Sequence, residues 1–216
     1  RSGSVTGVQT CALPIYTGDE SLKQEAIARL NSLEKEQYNK STHDLGFMMY
    51  CSFGNAWRLW GDEKHQTILL NSAKSLASRF NVTTGVIRSW NFGDWQYPVI
   101  IDNMMNLELL TRAAAWSRDT TLLHIAITHA NNTATNHFRE NFSSYHLIDY
   151  DTQIGKVLKR QTVQGAADSS AWARGQAWAL YGYTVMFRET GRQAYLQLAR
   201  SEEHTSELQS QNRISY

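Results

Sequence analysis

Cysteine, proline, net charge and long apolar runs are all scarce in this sequence. Two cysteines and two prolines occur among 216 residues. So few cysteines support neither a disulfide framework nor a cluster of zinc ligands. The 21 Lys and Arg residues nearly balance the 20 Asp and Glu residues, so the net charge is +1 and no basic surface for nucleic acid is expected. No apolar run reaches the roughly 18 residues of a membrane-spanning helix, and we expect no membrane span.

The two ends of the chain resemble the translation of one DNA oligonucleotide. The segment RSEEHTSELQS, residues 200–210, can be back-translated into DNA whose reverse complement encodes VTGVQTCALPI, residues 5–15. We therefore interpret residues 1–15 and 200–216 as sequencing-adapter artefacts and exclude them from the fold. Residues 16–199 are expected to be a fragment of a single domain, with Cys51 as the one cysteine.

Helical periodicity runs through most of residues 16–199. Apolar residues recur at spacings of three and four in LGFMMYCSFGNAWRLW, NMMNLELLTRAAAW and SAWARGQAWALYGYTVMF. Pro98 is the one proline in this part, which permits long unbroken helices. Residues 145–165 differ, because β-branched residues flank a polar turn that ends at Gly155. The sequence predicts an all-α fold with a short β-hairpin insert.

Three aspartates mark an internal repeat of about 60 residues. Asp44, Asp102 and Asp168 each precede an apolar helical segment, and a second, more polar helical segment follows each one. Repeated helix pairs predict stacked hairpins, either in an open solenoid or in a closed toroid. The more apolar first helices should form the inner layer, which would place the three aspartates on one rim.

Four blocks of the sequence carry a family resemblance: STHDLGFMMY, PVIIDNMMNLELL, SSYHLIDYD and SSAWARGQAWALYGYT. In this order they resemble glycoside hydrolase family 88, the unsaturated glucuronyl hydrolases. The resemblance implies an (α/α)6 toroid that uses no metal or organic cofactor. It also implies a glycosidase for lyase-generated oligosaccharides that end in a 4,5-unsaturated uronic acid. In that reaction C4 is protonated, water adds at C5, and the resulting hemiketal collapses to release the next sugar.

The same motifs imply which residues form the site. The proton-transferring aspartate falls on Asp102, and its partner aspartate falls on Asp44. The implied substrate-binding residues are His43, Trp90, His146, Gln164, Arg174 and Trp178.

The implied chemistry suits these residue types. Protonating a carbon atom requires an acid that is still protonated at working pH, so Asp102 should have a raised pKa, supplied by apolar surroundings and a second carboxylate. Once ionised, the same group can take a proton from the attacking water. Arg174 and Gln164 offer donors to the substrate carboxylate, and Trp178 offers an aromatic face to its flattened ring.

Plainer interpretations stand beside these roles. An aspartate at a helix start is more often a cap, and we interpret Asp168 as a cap or an orienting residue. His146 alone is compatible with a structural role, and Arg174 and Trp178, four residues apart, are compatible with simple packing. Trp57, Trp60 and Trp116 are predicted to be core residues and not part of the site.

Two alternative functions are also compatible with the sequence. Unsaturated rhamnogalacturonyl hydrolases share the implied fold and chemistry, although IIDNMMNLELL favours the glucuronyl enzymes. A non-catalytic, helical-repeat carbohydrate-binding module is the alternative from a different class. A partial toroid should also be poorly active and should expose large apolar patches on its inner helices. Either the bacterial cytoplasm or the periplasm is expected as the compartment.

Overall fold

Helices make up most of residues 18–201, the part of the chain that the computed structural model describes. The predicted terminal artefacts lie outside this part, except residues 200 and 201, which continue the last helix. The prediction of a helical fold with a small β insert is confirmed.

The helices pair into hairpins. Helix α1, Glu20–Leu33, comes first, and a 3-10 turn, Glu34–Tyr38, follows it. The first hairpin combines a long helical segment, made of α2 (Leu45–Met49), a π-helical turn (Tyr50–Gly54) and α3 (Asn55–Trp60), with α4 (Glu63–Ala77). The second pairs α5 (Leu107–Ser117) with α6 (Thr120–Asn136), and the third pairs α7 (Ala173–Thr190) with α8 at 193–201. The first members of neighbouring hairpins pack on one another and form the inner layer.

A left-handed residue marks the turn of each hairpin. Gly61, Arg118 and Gly191 have φ values of 69°, 60° and 69° and directly follow the three inner helices. The repeat predicted from the sequence is therefore present in the backbone.

The start of the third inner helix was predicted wrongly. Helix α7 begins at Ala173, and Trp172 is its N-cap residue. Asp168 lies in the preceding loop, where its carboxylate accepts a hydrogen bond from the backbone N–H of Thr162 at 2.7 Å. Asp168 is thus a loop-orienting residue and not a cap, because the chain needs residues 162–172 to travel from the sheet to the inner layer.

Two small antiparallel sheets accompany the helices. One pairs β1 (Phe80–Asn81) with β2 (Val86–Ile87). The other has the order β3-β4-β5 and consists of Pro98–Ile100, Leu147–Tyr150 and Val157–Gln161. The predicted pair is the β4-β5 hairpin. Strand β3 was not predicted, because its three buried residues, of which Pro98 is the first, look like any short apolar run.

A 3-10 turn, Ile101–Asn106, connects β3 to the second inner helix. This turn packs between the first and the third inner helices. A Cβ atom added at Gly46 would lie 2.6 Å from Cβ of Asn106, and one added at Gly182 would lie 2.5 Å from Cβ of Met104. Backbones therefore touch on both sides of the turn, so the position of Asp102 is set by packing on two helices.

The expectation of large apolar patches on the inner helices is wrong for the described residues. The exposed positions on these helices are small or polar, and the large exposed apolar side chains lie in loops, in β5 and at the end of the 3-10 turn Glu34–Tyr38. Ion pairs occupy part of the inner surface instead: Arg188 contacts Glu108, and Arg112 lies 3.5 Å from Glu189.

Candidate active site

The three-stranded sheet gathers residues that are far apart in sequence. Asp102 comes two residues after β3, His146 directly precedes β4, and Gln164 follows β5. The register pairs Ile100 with Leu147, and the N–H of Ile101 donates to the carbonyl of His146 at 2.9 Å. The backbone hydrogen bonds of the sheet therefore place Asp102 beside His146.

Asp102 is buried and does not cap a helix. Only 7% of the residue is exposed, and the 3-10 turn that contains it has no side-chain cap. Its Oδ2 atom is buried without a hydrogen-bond partner among the described residues. Burial raises the pKa of Asp102 to about 7, and the negative charge of Asp44 acts in the same direction, whereas the backbone N–H of Asp102 itself and the charge of Arg174 oppose the shift. Asp102 can therefore exist in either protonation state near neutral pH, as the sequence analysis required.

Asp44 is paired with a histidine rather than with a helix end. It precedes α2 without a side-chain cap bond, and its Oδ1 atom lies 3.1 Å from Nε2 of the buried His43. On the other side of the ring, Nδ1 of His43 lies 3.0 Å from the carbonyl oxygen of Ser89, to which it can only donate. Burial lowers the pKa of His43, although Asp44 opposes that shift. In the neutral ring Nε2 then carries no proton, so a hydrogen bond between His43 and Asp44 requires one additional proton, held either by Nε2 or by the Asp44 carboxyl group.

His146 is held as one tautomer. Its Nδ1 atom accepts hydrogen bonds from the backbone N–H groups of Val163 and Gln164 at 2.9 and 3.3 Å, so in the neutral ring the proton is on Nε2. Burial, followed by the charge of Arg174, lowers the pKa of His146 to about 4, which keeps the ring neutral. Nε2 lies 3.9 Å from Oδ2 of Asp102, too far for a direct hydrogen bond. Both atoms remain able to bind a ligand.

Arg174 and Gln164 form the exposed side of the site. Nη2 of Arg174 donates to Oε1 of Gln164 at 2.6 Å, and its guanidinium lies 4.5 Å from the ring centre of Trp172. The same indole lies 4.7 Å from the His146 ring. These contacts place the Arg174 guanidinium near the neutral His146 ring and Asp102. Hydrogen-bond donors and a carboxyl group that can transfer a proton therefore lie on the same side of the molecule.

The two predicted tryptophans occupy different surroundings. Trp178 is half-buried against Phe47, with ring centres 5.0 Å apart, on the inner helix that carries Arg174. Trp90 lies in the loop before β3, where it stacks on Phe92 at 5.3 Å and meets Trp95 edge-on. Its Nε1 atom is buried without a partner among the described residues. Trp90 therefore belongs to an aromatic loop that borders the site through Ser89 and His43.

Sequence reasoning missed three residues that hold the site together. Trp172 lies within a quoted block, but nothing local distinguishes it from a core tryptophan. Ser89 accepts from His43 through its carbonyl and from Ile100 N–H through its hydroxyl at 2.8 Å. Asn106 accepts from the N–H of Phe47 at 2.7 Å, which ties the helix after Asp44 to the turn with Asp102. Ser89 and Asn106 have no sequence signal, because their partners are distant in the chain.

No metal centre or bilayer-spanning helix is present in the part of the chain described here. No group of three His, Cys, Asp or Glu side chains there is arranged to hold a metal ion, and no helix there is long and apolar enough to cross a bilayer. His129, on the outer helix α6, is fully buried and accepts from the N–H of Ile87 at 3.0 Å.

Comparison with known proteins gives consistent relatives. The chain is 45% identical over 183 residues to an unsaturated glucuronyl hydrolase of Formosa agariphila. The aligned region covers 83% of this chain and 46% of that protein. It is 32% identical over 196 residues to an unsaturated chondroitin disaccharide hydrolase of Streptococcus pyogenes serotype M1, covering 88% and 49% of the two chains. No family model matches the chain.

Solved structures agree with these relatives. A crystal structure of an unsaturated glucuronyl hydrolase specific for heparin superposes with a TM-score of 0.88 at 48% identity, covering 93% of this chain and 54% of the other. The unsaturated glucuronyl hydrolase of Bacillus sp. GL1 gives a TM-score of 0.88 at 30% identity, covering 93% and 55%. The predicted toroidal fold is confirmed, and the chain spans about half the length of the curated relatives it matches.

Proposed function

The chain belongs to the unsaturated glucuronyl hydrolase family, and we propose that it is part of a domain about twice its length that hydrates a terminal 4,5-unsaturated uronic acid. The observation that carries the proposal is Asp102, a buried carboxyl group with an unpartnered oxygen and a pKa of about 7. A structural cap would be exposed and bonded to helix N–H groups. Asp102 is buried, its Oδ2 atom has no hydrogen-bond partner among the described residues, and the backbone N–H group that affects its pKa is its own.

Asp102 is proposed to act first as an acid and then as a base. In its protonated form it delivers a proton to C4 of the enol ether, which leaves positive charge at C5 shared with the ring oxygen. The ionised carboxylate then accepts a proton from the water that adds at C5. The product is a hemiketal, whose collapse opens the ring and releases the next sugar. Asp102 ends protonated, ready for another turnover.

The neighbouring side chains are proposed to position the ring. Arg174 and Gln164 lie within hydrogen-bonding distance of each other and offer N–H groups to the uronate carboxylate. His146 offers its Nε2–H beside Asp102, and Trp178 and Trp90 offer aromatic faces. The charge of the nearby Asp44 acts to raise the pKa of Asp102 and so favours its protonated form.

The proposed substrates are oligosaccharides that a polysaccharide lyase has cut. Relatives are named for unsaturated chondroitin disaccharides and for heparin, and one solved relative is in complex with dGlcA-Glc-Rha-Glc. All three names describe sugars of uronate-containing chains. We propose the same substrate class for the full-length domain; these relatives do not favour the rhamnogalacturonyl alternative.

Heavy water provides the decisive experiment. The full-length domain would be incubated with an unsaturated uronyl disaccharide in deuterium oxide, and the products would be followed by NMR and by the ultraviolet absorbance of the double bond. Hydration predicts loss of that absorbance and one deuterium at C4. Direct attack at the anomeric carbon would instead release a uronic acid whose double bond is intact, and no turnover with measurable binding would favour a carbohydrate-binding module.

A further inference from the structure

A cationic cleft lies behind the two segments that carry His43 and Trp90. Its volume is about 460 Å³. No carboxylate lines it, whereas three cationic side chains do. Its principal lining residues are Lys40, Arg79, Arg88, Asn81, Asn91 and Tyr97.

Arg79 supplies a buried charge that no anion balances. Only 7% of the residue is exposed. Its guanidinium donates to the carbonyl of Arg88 at 2.9 Å, to Oδ1 of Asn91 at 3.1 Å and to the carbonyl of Lys40. All three acceptors are neutral. Burial lowers the pKa of Arg79, Tyr97 opposes that shift, and the nearby charge of Arg88 acts in the same direction as burial. The described lining residues include three cations and no carboxylate, so the cleft is short of negative charge.

Arg88 and Lys40 keep free donors at the cleft. The Arg88 guanidinium lies 5.5 Å from the ring centre of Tyr97, and its Nε atom is buried without a hydrogen-bond partner in residues 18–201. The exposed side chain of Lys40 makes no hydrogen bond or ion pair with any residue in that range. A ligand with several acceptor oxygens would satisfy both donors and would reduce the repulsion among the three cations.

We propose that this cleft binds an oxyanion, either free sulfate or a sulfate group carried on an acidic sugar. The proposal is independent of the reaction proposed above. Binding would also affect the site, because Lys40 is three residues before His43 and Asn91 directly follows Trp90. An anion held between these segments would stabilise both of them in the arrangement seen here.

Sulfate titration of the 216-residue chain tests the proposal. Sodium sulfate and sodium chloride of equal ionic strength would be compared by thermal unfolding and by tryptophan fluorescence. Sulfate should give a saturable rise in the unfolding temperature that chloride does not give. Lys40→Gln and Arg88→Gln should each weaken the apparent sulfate affinity by about tenfold or more, as expected for hydrogen bonds to a charged group.

Controls locate the binding site. Arg58→Gln removes an exposed arginine from an inner helix and should leave sulfate binding unchanged. Arg174→Gln tests binding beside Asp102 instead. Lys40→Gln removes only an exposed side chain, so its result is interpretable even if Arg88→Gln fails to fold. A saturated, sulfated disaccharide that binds more tightly than sulfate, with the same loss in Lys40→Gln, would identify the sugar-borne source.

Two results would overturn the proposal. One is a sulfate effect no larger than that of chloride. The other is a sulfate effect that Arg174→Gln abolishes while Lys40→Gln and Arg88→Gln leave it intact.

Discussion

Two groups of aspartates lie where a helix begins, one at the starts of outer helices and one at the inner rim, and the two groups have different roles. Asp19, Asp62 and Asp119 each accept a hydrogen bond from the backbone N–H two residues later, at 2.8, 2.8 and 2.9 Å. Neither Asp44 nor Asp102 makes such a bond. The outer group satisfies helix N–H groups, which is the usual role of aspartate at this position.

Burial and long-range partners explain the difference. Asp102 follows a strand, and the turn that contains it packs between two helices, so its carboxyl group is removed from water. Asp44 is exposed, but its partner, the His43 ring, is held in place by the carbonyl group of Ser89. The comparison teaches that the same residue at the same local position serves as a cap or as a reactive group according to what packs around it.

Among the changes considered, Asp102→Asn at the inner rim should have the largest effect on turnover. In the full-length domain we expect turnover to fall by about 10²-fold to 10⁴-fold, because asparagine cannot transfer the proton. The unfolding temperature at pH 7 should be unchanged or slightly higher, since a buried carboxyl with a raised pKa costs stability when ionised. Absorbance assays and thermal unfolding measure the two quantities. Asp62→Asn, which retains a capping side chain, is the matched control, and near-normal turnover of Asp102→Asn would reduce Asp102 to a structural residue.

Acid should destabilise the layer beneath the rim. Burial lowers the pKa of both His129 and His137 to about 3, whereas an unfolded histidine titrates near 6.5. Below that pH the unfolded chain binds protons at these two positions that the native state does not, so the contribution of the two histidines to stability is constant above about pH 6.5 and falls toward pH 3. The raised pKa of Asp102 acts in the opposite direction between about pH 4 and pH 7. At pH 5 the loss is roughly 2 kcal/mol for each histidine. Urea unfolding at several pH values checks this, and His129→Gln should flatten the profile; equal slopes in both proteins would assign the acid sensitivity elsewhere.

Arg174→Met should act on binding rather than on folding. We expect unsaturated uronides to bind the full-length domain about tenfold more weakly, because a charge-assisted contact to their carboxylate is lost. A neutral analogue of the substrate should bind almost as before. Calorimetric titration with both ligands measures the difference, and Arg192→Met, an exposed arginine beyond the third inner helix, is the control. Equal losses for the two ligands would assign Arg174 to packing.

Asp62→Ala tests the other side of the comparison. Removing this cap should lower the free energy of unfolding by about 1 kcal/mol, since the N–H of Lys64 loses its acceptor. Turnover of the full-length domain should not change. Chemical denaturation and the absorbance assay provide the measurements. A loss of turnover at unchanged stability would mean that the caps and the rim are not separate in function.

Deleting residues 1–15 and 200–216 should have the smallest effect. We propose that these segments are encoded by adapter DNA, so they were not selected to support the fold. The unfolding temperature of the trimmed chain should equal that of the 216-residue chain. Unfolding of the trimmed protein alone would argue against the proposal.

The local patterns of the sequence were sufficient for the helices and the insert. Spacings of three and four apolar residues encode a buried helix face, and alternating β-branched residues around Gly155 encode a hairpin. Strand β3 was missed because its pairing partner is about 50 residues away and its own three residues carry no periodicity. Asp168 was misplaced for a related reason, since only the path of the chain from β5 shows where α7 begins.

The sequence by itself determined the hairpin repeat, the family and the residue types available for chemistry, because short-range spacing and motif order are properties of the chain. Only the tertiary structure decided the state of those residues. The β3-β4 register brings His146 to within 3.9 Å of Asp102, and the N–H groups of Val163 and Gln164 select its tautomer. Burial then raises the pKa of Asp102 to about 7. Desolvation depends on which distant elements pack together, so no local pattern in the chain specifies it.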